Sequence, residues 1–403
     1  MLKKDDFKTI LLTSVGGMLE FYDFVIFSMF AIVLGQTFFP QQNSQVLQVL
    51  YAFTVFSVGY LARPLGGIIF GHISDKYGRK KSFLMTIFLM GTASFLIAFL
   101  PSYSTVGIVA TILFVILRVI QGTAIGGEIP SAIVFIKESI NKHSGVACGI
   151  IFCLINFGVF FAEITKDITS YFFRDQYAWR IAFILGGIAA VISYFMRKEI
   201  HETNTFLLNN NIRKIPLITL FKTEKVAILK AMASISIIAT TVGFYSLFLP
   251  SFFTLNNISD SPYLILINLV IFSVICIPAG MLADKYNPFN ILVIGTFGLL
   301  VFGTLFYISI VNHSPYLIYI MCINSCFMGL AAGVSANYSC MLFSSSVRAS
   351  GLGTVYNISF AIFNGFFLAL ASFGIAHGFM LSPLYLSLAL YIICLLILLY
   401  KKV

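Results

Sequence analysis

Long unbroken apolar runs, separated by short polar turns, make up nearly the whole chain. Twelve such runs are read, beginning near residues 9, 46, 82, 104, 145, 178, 224, 262, 289, 315, 347 and 382. Each is long enough to cross a bilayer, which takes about 20 apolar residues at about 1.5 Å rise per residue. The runs are continuous and do not alternate between apolar and polar, so they predict helices and not barrel strands. The first is too long for a signal peptide and has no small-residue cleavage site behind it, so it is expected to remain as the first helix. One polar stretch, 197–223, is longer than the others but too short for a folded domain. It is expected to run along the membrane face as a linker, partly as an interfacial helix, between six-helix halves at 1–196 and 224–403. Two short patterns recur across these halves: Gly71-His-Ile-Ser-Asp75-Lys76-Tyr77 returns as Gly280-Met-Leu-Ala-Asp284-Lys285-Tyr286, and Lys142-His-Ser-Gly145 is echoed by Arg348-Ala-Ser-Gly351. The predicted fold is therefore an all-α integral membrane protein with twelve transmembrane helices in two pseudo-symmetric six-helix bundles.

Composition agrees with this reading. Of 403 residues, 59% are hydrophobic and only 10% charged, with a mean hydropathy of +0.97. That is too little polar surface to cover a soluble fold. The net charge of +10 does not point to nucleic acid, because 20 of the 25 Lys and Arg residues fall in the turns on one side of the twelve-span topology. Such segregation sets orientation, with the basic side and both termini expected in the cytoplasm. All seven cysteines lie in apolar runs, so structural disulfides are not expected. Cys322 and Cys326 are one turn apart without an accompanying His or acid, which favours packing over a metal site. No nucleophile–base pair stands out either, and no enzymatic activity or cofactor is expected.

The chemistry therefore rests on polar residues inside the apolar runs. The first run carries Glu20 and Asp23, three apart and so near one face. An intramembrane carboxylate costs about 2.5–3.5 kcal/mol on insertion scales and is a functional candidate by default. The fourth run holds Arg118, Gln121 and Glu128, with Gly122 and Gly126 forming a small-residue stripe for close helix contact. A buried arginine needs a carboxylate, and Glu20, Asp23 and Glu128 are the candidates. Asp23, Glu20, Glu128 and Arg118 are expected to load and release a proton: burial disfavours a charged carboxyl and a nearby guanidinium favours it. Arg63 or Arg118 would take a substrate carboxylate in a bidentate grip. Tyr22, Gln121, Asn156, Tyr245, Asn337, Asn357 and Asn364 are the candidate polar contacts to substrate. Glu163, Lys166 and Asp167 near the outer end of the fifth run read as a locally satisfied cluster. Arg79, Lys80 and Lys81 are expected to stay at the lipid headgroups.

The turn after the second run reads Gly71-x-x-x-Asp75-Lys76-x-Gly78-Arg79-Lys80-Lys81, which resembles the loop between helices two and three of major facilitator transporters. Leu19-Glu20-Phe-Tyr-Asp23, Arg63-Pro-Leu-Gly-Gly, Arg118-x-x-Gln-Gly-x-x-x-Gly-Gly-Glu128, Trp179-Arg180 and Val347-Arg348-Ala-Ser-Gly extend the similarity to the metabolite:proton symporters of that superfamily. Those include proline/betaine, α-ketoglutarate, citrate and shikimate permeases. The resemblance implies a midplane substrate site between the bundles, alternating access driven by the proton as coupling ion, and function as a monomer in the lipid bilayer with a small-molecule partner. It also implies a gate latch built from Gly71, Asp75, Lys76, Gly78, Arg79, Lys80, Asp284 and Arg348. The implied activity is proton-coupled uptake of a small carboxylate-bearing metabolite, either a zwitterionic osmolyte or an organic acid. Arg180 joins Arg63 and Arg118 as a position at which organic-acid members hold carboxylates. Proton-driven efflux and a transport-dead nutrient receptor are the alternatives. The sequence departs from the pattern at Tyr286-Asn-Pro-Phe289, where the second copy lacks its glycine and bases and its latch is put in question. It departs again at Glu202-Thr203-Asn204, where a proline is missing.

Overall fold

A computed structural model describes residues 4–40, 45–140, 142–207, 216–249, 252–253, 256, 258 and 261–400. Twelve long helices alternate in direction: α1 Lys4–Met29, α2 Gln45–Tyr77, α3 Arg79–Phe99, α4 Ile108–Ser139, α5 Ser144–Phe172 and α6 Asp175–Lys198, then α7 from Lys225–Val242, α8 Ser261–Lys285, α9 Pro288–Val311, α10 Leu317–Met341, α11 from Arg348–Ala361 and α12 Ser382–Leu399. Short helices at Ala31–Phe38, Tyr103–Val106, Asn204–Leu207 and Pro216–Thr223 lie between them. Ten of the twelve are apolar and long enough over the described residues to cross a membrane. α2 and the segmented α11 complete the twelve, and the contacts between them, Arg63 to Asn357 and Asp75 to Ser350, mark where the two bundles meet.

α7 and α11 share an irregularity. α7 passes into a π-helical turn at Gly243–Phe248, and α11 into another at Ile362–Phe366 before resuming at Phe367–Ala376. The two turns face each other, since a side chain on Gly243 would meet Asn364 and the Phe363 carbonyl. Within the N-terminal bundle, α2 and α4 approach backbone to backbone. A Cβ on Gly122 would collide with the Gly59 carbonyl and one on Gly126 with that of Arg63, which explains the small-residue stripe.

The two equivalent turns start their next helices by different chemistry. Gly78 has φ +105°, a conformation that disfavours side chains. The Glu202 carboxylate then caps α3 by accepting from the Arg79 and Lys80 amides at 3.1 and 3.2 Å. In the second half Asn287 caps α9 itself, accepting from the Phe289 amide at 3.0 Å, with Pro288 in the first turn. Glycine and bases are therefore dispensable in the second copy.

Candidate functional site

The bundles are sealed together on the basic face by two matching latches. Asp75, at the end of α2, accepts from the Ala349 and Ser350 amides at 3.3 and 2.8 Å and from the Ser350 hydroxyl at 2.7 Å. Asp284, at the end of α8, accepts from the Gly145 and Val146 amides at 2.7 and 2.9 Å. Each carboxylate thus caps the N-terminus of a helix in the opposite bundle, where unsatisfied amides and the helix dipole favour an anion. The second latch is formed in spite of its reduced loop, because the capping requires only the acid and two amides. Glycines let the backbones meet beside it: Gly145 lies against Gly280, and Gly149 against the Cys276 carbonyl.

A charge network backs the Asp75 latch. Arg79 is only 2% exposed and pairs with Asp75 at 3.1 Å and with Glu138 of α4 at 3.0 Å. Arg348 reaches Glu138 at 3.2 Å and the Thr203 hydroxyl donates to it at 3.1 Å. Arg79 therefore lies in the seam and not among lipid headgroups, because two buried acids compensate its desolvation. Lys80 does stay at the surface, donating to the Lys198 carbonyl at 2.8 Å, while Lys76 lies over the Tyr77 ring. Gly71 packs against Ser350 and Ala349.

Further into the seam, Arg63 of α2 is buried between the bundles. Its Nε donates to Asn357 of α11 at 3.3 Å, and its guanidinium lies 5.2–6.0 Å from the ring centroids of Phe24, Tyr60, Tyr356 and Phe360. Its two terminal nitrogens have no acceptor at hydrogen-bonding geometry among the described residues. Asn357 donates to the carbonyls of Gly126 at 2.6 Å and Gly353 at 2.7 Å, tying α11 to α4. Asn364 lies beside Gly243 and Tyr60. This is an aromatic pocket with cationic donors to spare, suited to a carboxylate.

Asp23 forms a second centre inside the N-terminal bundle, next to Phe24 of that pocket. Its Oδ2 accepts from the Ser94 hydroxyl and from Gln121 Nε2 at 3.2 Å, while Oδ1 accepts nothing among the described residues. Gln121 also accepts from Arg118 at 3.2 Å. The Arg118 guanidinium lies 4.4 and 4.0 Å from the Phe24 and Phe27 ring centroids and acts electrostatically on Asp23. Asp23, Gln121 and Arg118 thus come together as the sequence suggests, with Ser94 as an unforeseen member.

Several candidates lie elsewhere. Glu128 pairs with Arg197 of α6 and accepts from Thr86 at 2.6 Å, away from the Arg118 group. It is a second buried pair, closed over by Gly16, where a side chain would strike Arg197. Tyr22 donates to the Ala182 carbonyl at 3.2 Å within its own bundle. Tyr245 is enclosed in the C-terminal bundle with Phe306 and Tyr307. Asn337 accepts from Ser144 at 3.4 Å in the seam at the basic face. Arg180 donates to the carbonyls of Ala98 and Leu100 at 2.6 and 2.9 Å and so caps the end of α3. Asn156 of α5 is buried with its Nδ2 unpartnered among the described residues. The Glu20 side chain lies outside the described residues.

The chain is similar to known proteins. The chain is 29% identical over 381 residues to the proline/betaine transporter of Salmonella typhimurium LT2, covering 88% of this chain and 75% of the relative. To the proline/betaine transporter of Escherichia coli K12 it is 29% identical over 378 residues, covering 87% and 74%. Among solved structures, the proton:xylose symporter XylE of E. coli bound to 6-bromo-6-deoxy-D-glucose matches 97% of this chain and 94% of its own, at TM-score 0.81 and 17% identity. Residues 14–364 match the model of the Major Facilitator Superfamily, and with the capped latches and paired six-helix halves this chain belongs to that superfamily of membrane transporters.

Proposed function

We propose that this protein takes up a small carboxylate-bearing metabolite together with a proton across the bacterial inner membrane, by alternating access. The observation that carries the reading is Arg63, buried between the bundles with two donors unused among the described residues. A substrate carboxylate reaching it would meet a bidentate donor walled by Phe24, Tyr60, Tyr356 and Phe360. The proton would reside on Asp23, whose Oδ1 accepts no hydrogen bond among the described residues and whose Oδ2 is held by Ser94 and Gln121. Phe24, the next residue, touches both guanidinium groups, so a change of charge at Asp23 and a carboxylate at Arg63 act on one short stretch of α1. Two relatives named as proline/betaine transporters support a zwitterionic cargo. The two intact latches support a working gate and give no ground for a transport-dead receptor.

The test is uptake into vesicles containing the purified protein under an imposed inward proton gradient. Labelled proline, glycine betaine, citrate, α-ketoglutarate and shikimate would each be offered, with and without a protonophore. Accumulation of one of them that collapses with the protonophore is the expected result. Accumulation insensitive to the protonophore would remove the proton from the reading. Preferential extrusion from preloaded vesicles would reverse its direction.

A further inference from the structure

One intramembrane acid has no role in the arrangement above. Glu163 of α5 is exposed and has no ion-pair partner among the described residues, whereas neighbouring Lys166 and Asp167 pair with each other at 3.2 Å. Its direction follows from the helix. Gly145 and Gly149 face α8, against Gly280 and Cys276. Glu163 stands eighteen residues beyond Gly145, which is five turns at about 3.6 residues per turn, and so projects along the same stripe. Continued antiparallel, the pairing of 145 with 280 and of 149 with 276 brings residue 163 opposite 262, where α8 has only begun. The carboxylate therefore lies on the seam between the bundles, on the side away from the latches. A bare carboxylate on this stripe avoids the cost of facing lipid.

Its depth matches that of the Arg63 pocket. Gly158 packs against the Met18 carbonyl and the Tyr22 amide, and α1 and α5 run in the same direction. Five residues further, about 7.5 Å, Glu163 is level with the turn of α1 that carries Phe24, the residue under the Arg63 guanidinium. Asn156, seven residues below Glu163 on the same stripe, adds a buried Nδ2 without a partner among the described residues. The seam thus presents unused cationic donors on α2 and an unused anion on α5, on either side of α1.

Building on the carboxylate-uptake reading, we propose that Glu163 is a specificity-determining residue which selects carboxylates that also carry a positively charged nitrogen, with Asn156 assisting from the turn below. The anion attracts an ammonium or quaternary nitrogen while Arg63 holds the carboxylate, and it repels a second carboxylate entering the same space.

Glycine betaine and its carbon isostere, 3,3-dimethylbutyrate, separate the two poles because the isostere keeps the carboxylate and replaces only the positively charged nitrogen by carbon. In vesicles, glycine betaine should enter with a KM at least about tenfold below the inhibition constant of the isostere. Glu163→Gln should erase that ratio by raising the glycine betaine KM while leaving inhibition by the isostere in place. Glu163→Asp should restore part of it. A ratio unchanged in Glu163→Gln would overturn the assignment while leaving proton-coupled uptake intact. So would a wild-type protein that accumulates a dicarboxylate and ignores glycine betaine. A wild-type protein that accumulates none of these compounds would overturn both readings.

Discussion

Arg63 and Asp23 are linked through Phe24, which follows Asp23 and lies beside the Arg63 guanidinium, yet their substitutions should fail differently. Arg63→Lys keeps the charge but loses the planar two-donor fork, so the substrate KM should rise about tenfold or more while proton dependence persists. Asp23→Asn keeps the hydrogen bonds to Ser94 and Gln121 in outline but removes the exchangeable proton. Its expected behaviour is loss of pH-driven accumulation with substrate exchange retained, read by counterflow in the same vesicles. Accumulation unchanged in Asp23→Asn would dissociate the proton from this cluster. Asp23, Arg63, Arg118 and Gln121 were legible in the sequence because a charge or amide inside an apolar run has few reasons to be there. Ser94 was not, since a lone serine is common in such helices. Nor were Tyr60, Tyr356 and Phe360, since an aromatic ring in an apolar run reads as core. For Tyr22 and Asn337 polarity names the candidate but not its direction, since which way a helix turns them depends on its neighbours.

At the scale of elements, helix ends carry most of the polar structure, and here the sequence was hardest to read. Glu138, Arg197 and Glu202 stand at run ends, where charge is expected for orientation alone, yet Glu138 and Arg197 are buried. Glu138 holds Arg79 and Arg348 together. Glu138→Gln should therefore lower the thermal midpoint of the purified protein, by a loss on the order of 2 kcal/mol, since Arg79 keeps Asp75 but Arg348 loses its carboxylate. The two latches make a comparison that the loop sequences would not suggest. Despite the missing glycine and bases in the second copy, Asp284→Asn should open the basic face, because Asp284 caps two amides of the opposite bundle as Asp75 does. Asp75→Asn should open it further, since Asp75 also accepts from the Ser350 hydroxyl and pairs with Arg79. Maleimide labelling of buried Cys148 and Cys340, with the more accessible Cys322 and Cys326 replaced by serine, would report the opening. Labelling accelerated in Asp75→Asn alone would show that the second latch contributes nothing.

For the whole molecule, the twelve-helix plan and its two halves follow from hydropathy and repeats, but the way the halves close does not. Closure depends on glycines that bring backbones of opposite bundles into contact: Gly67 against Gly353, Gly145 against Gly280, and Gly149 against Cys276. In the sequence Gly145 and Gly280 stand in the short repeated patterns, Gly67 in a glycine pair and Gly149 by itself, and none of these settings announces a contact between the bundles. Only the packing shows that each lies where the bundles must separate if the basic face opens. A side chain there cannot be accommodated by a rotamer change, because the opposing atoms are backbone. Gly280→Leu should therefore act as a wedge, leaving each bundle folded while preventing the basic face from closing. Uptake should be lost, and Cys148, beside Gly149 on the same seam, should label rapidly whether or not substrate is added. Folding would be checked independently by retention of the wild-type elution peak on size exclusion. Normal uptake with Cys148 still protected would mean that the bundles close without this contact, and that the acid-capped helix ends alone hold the gate.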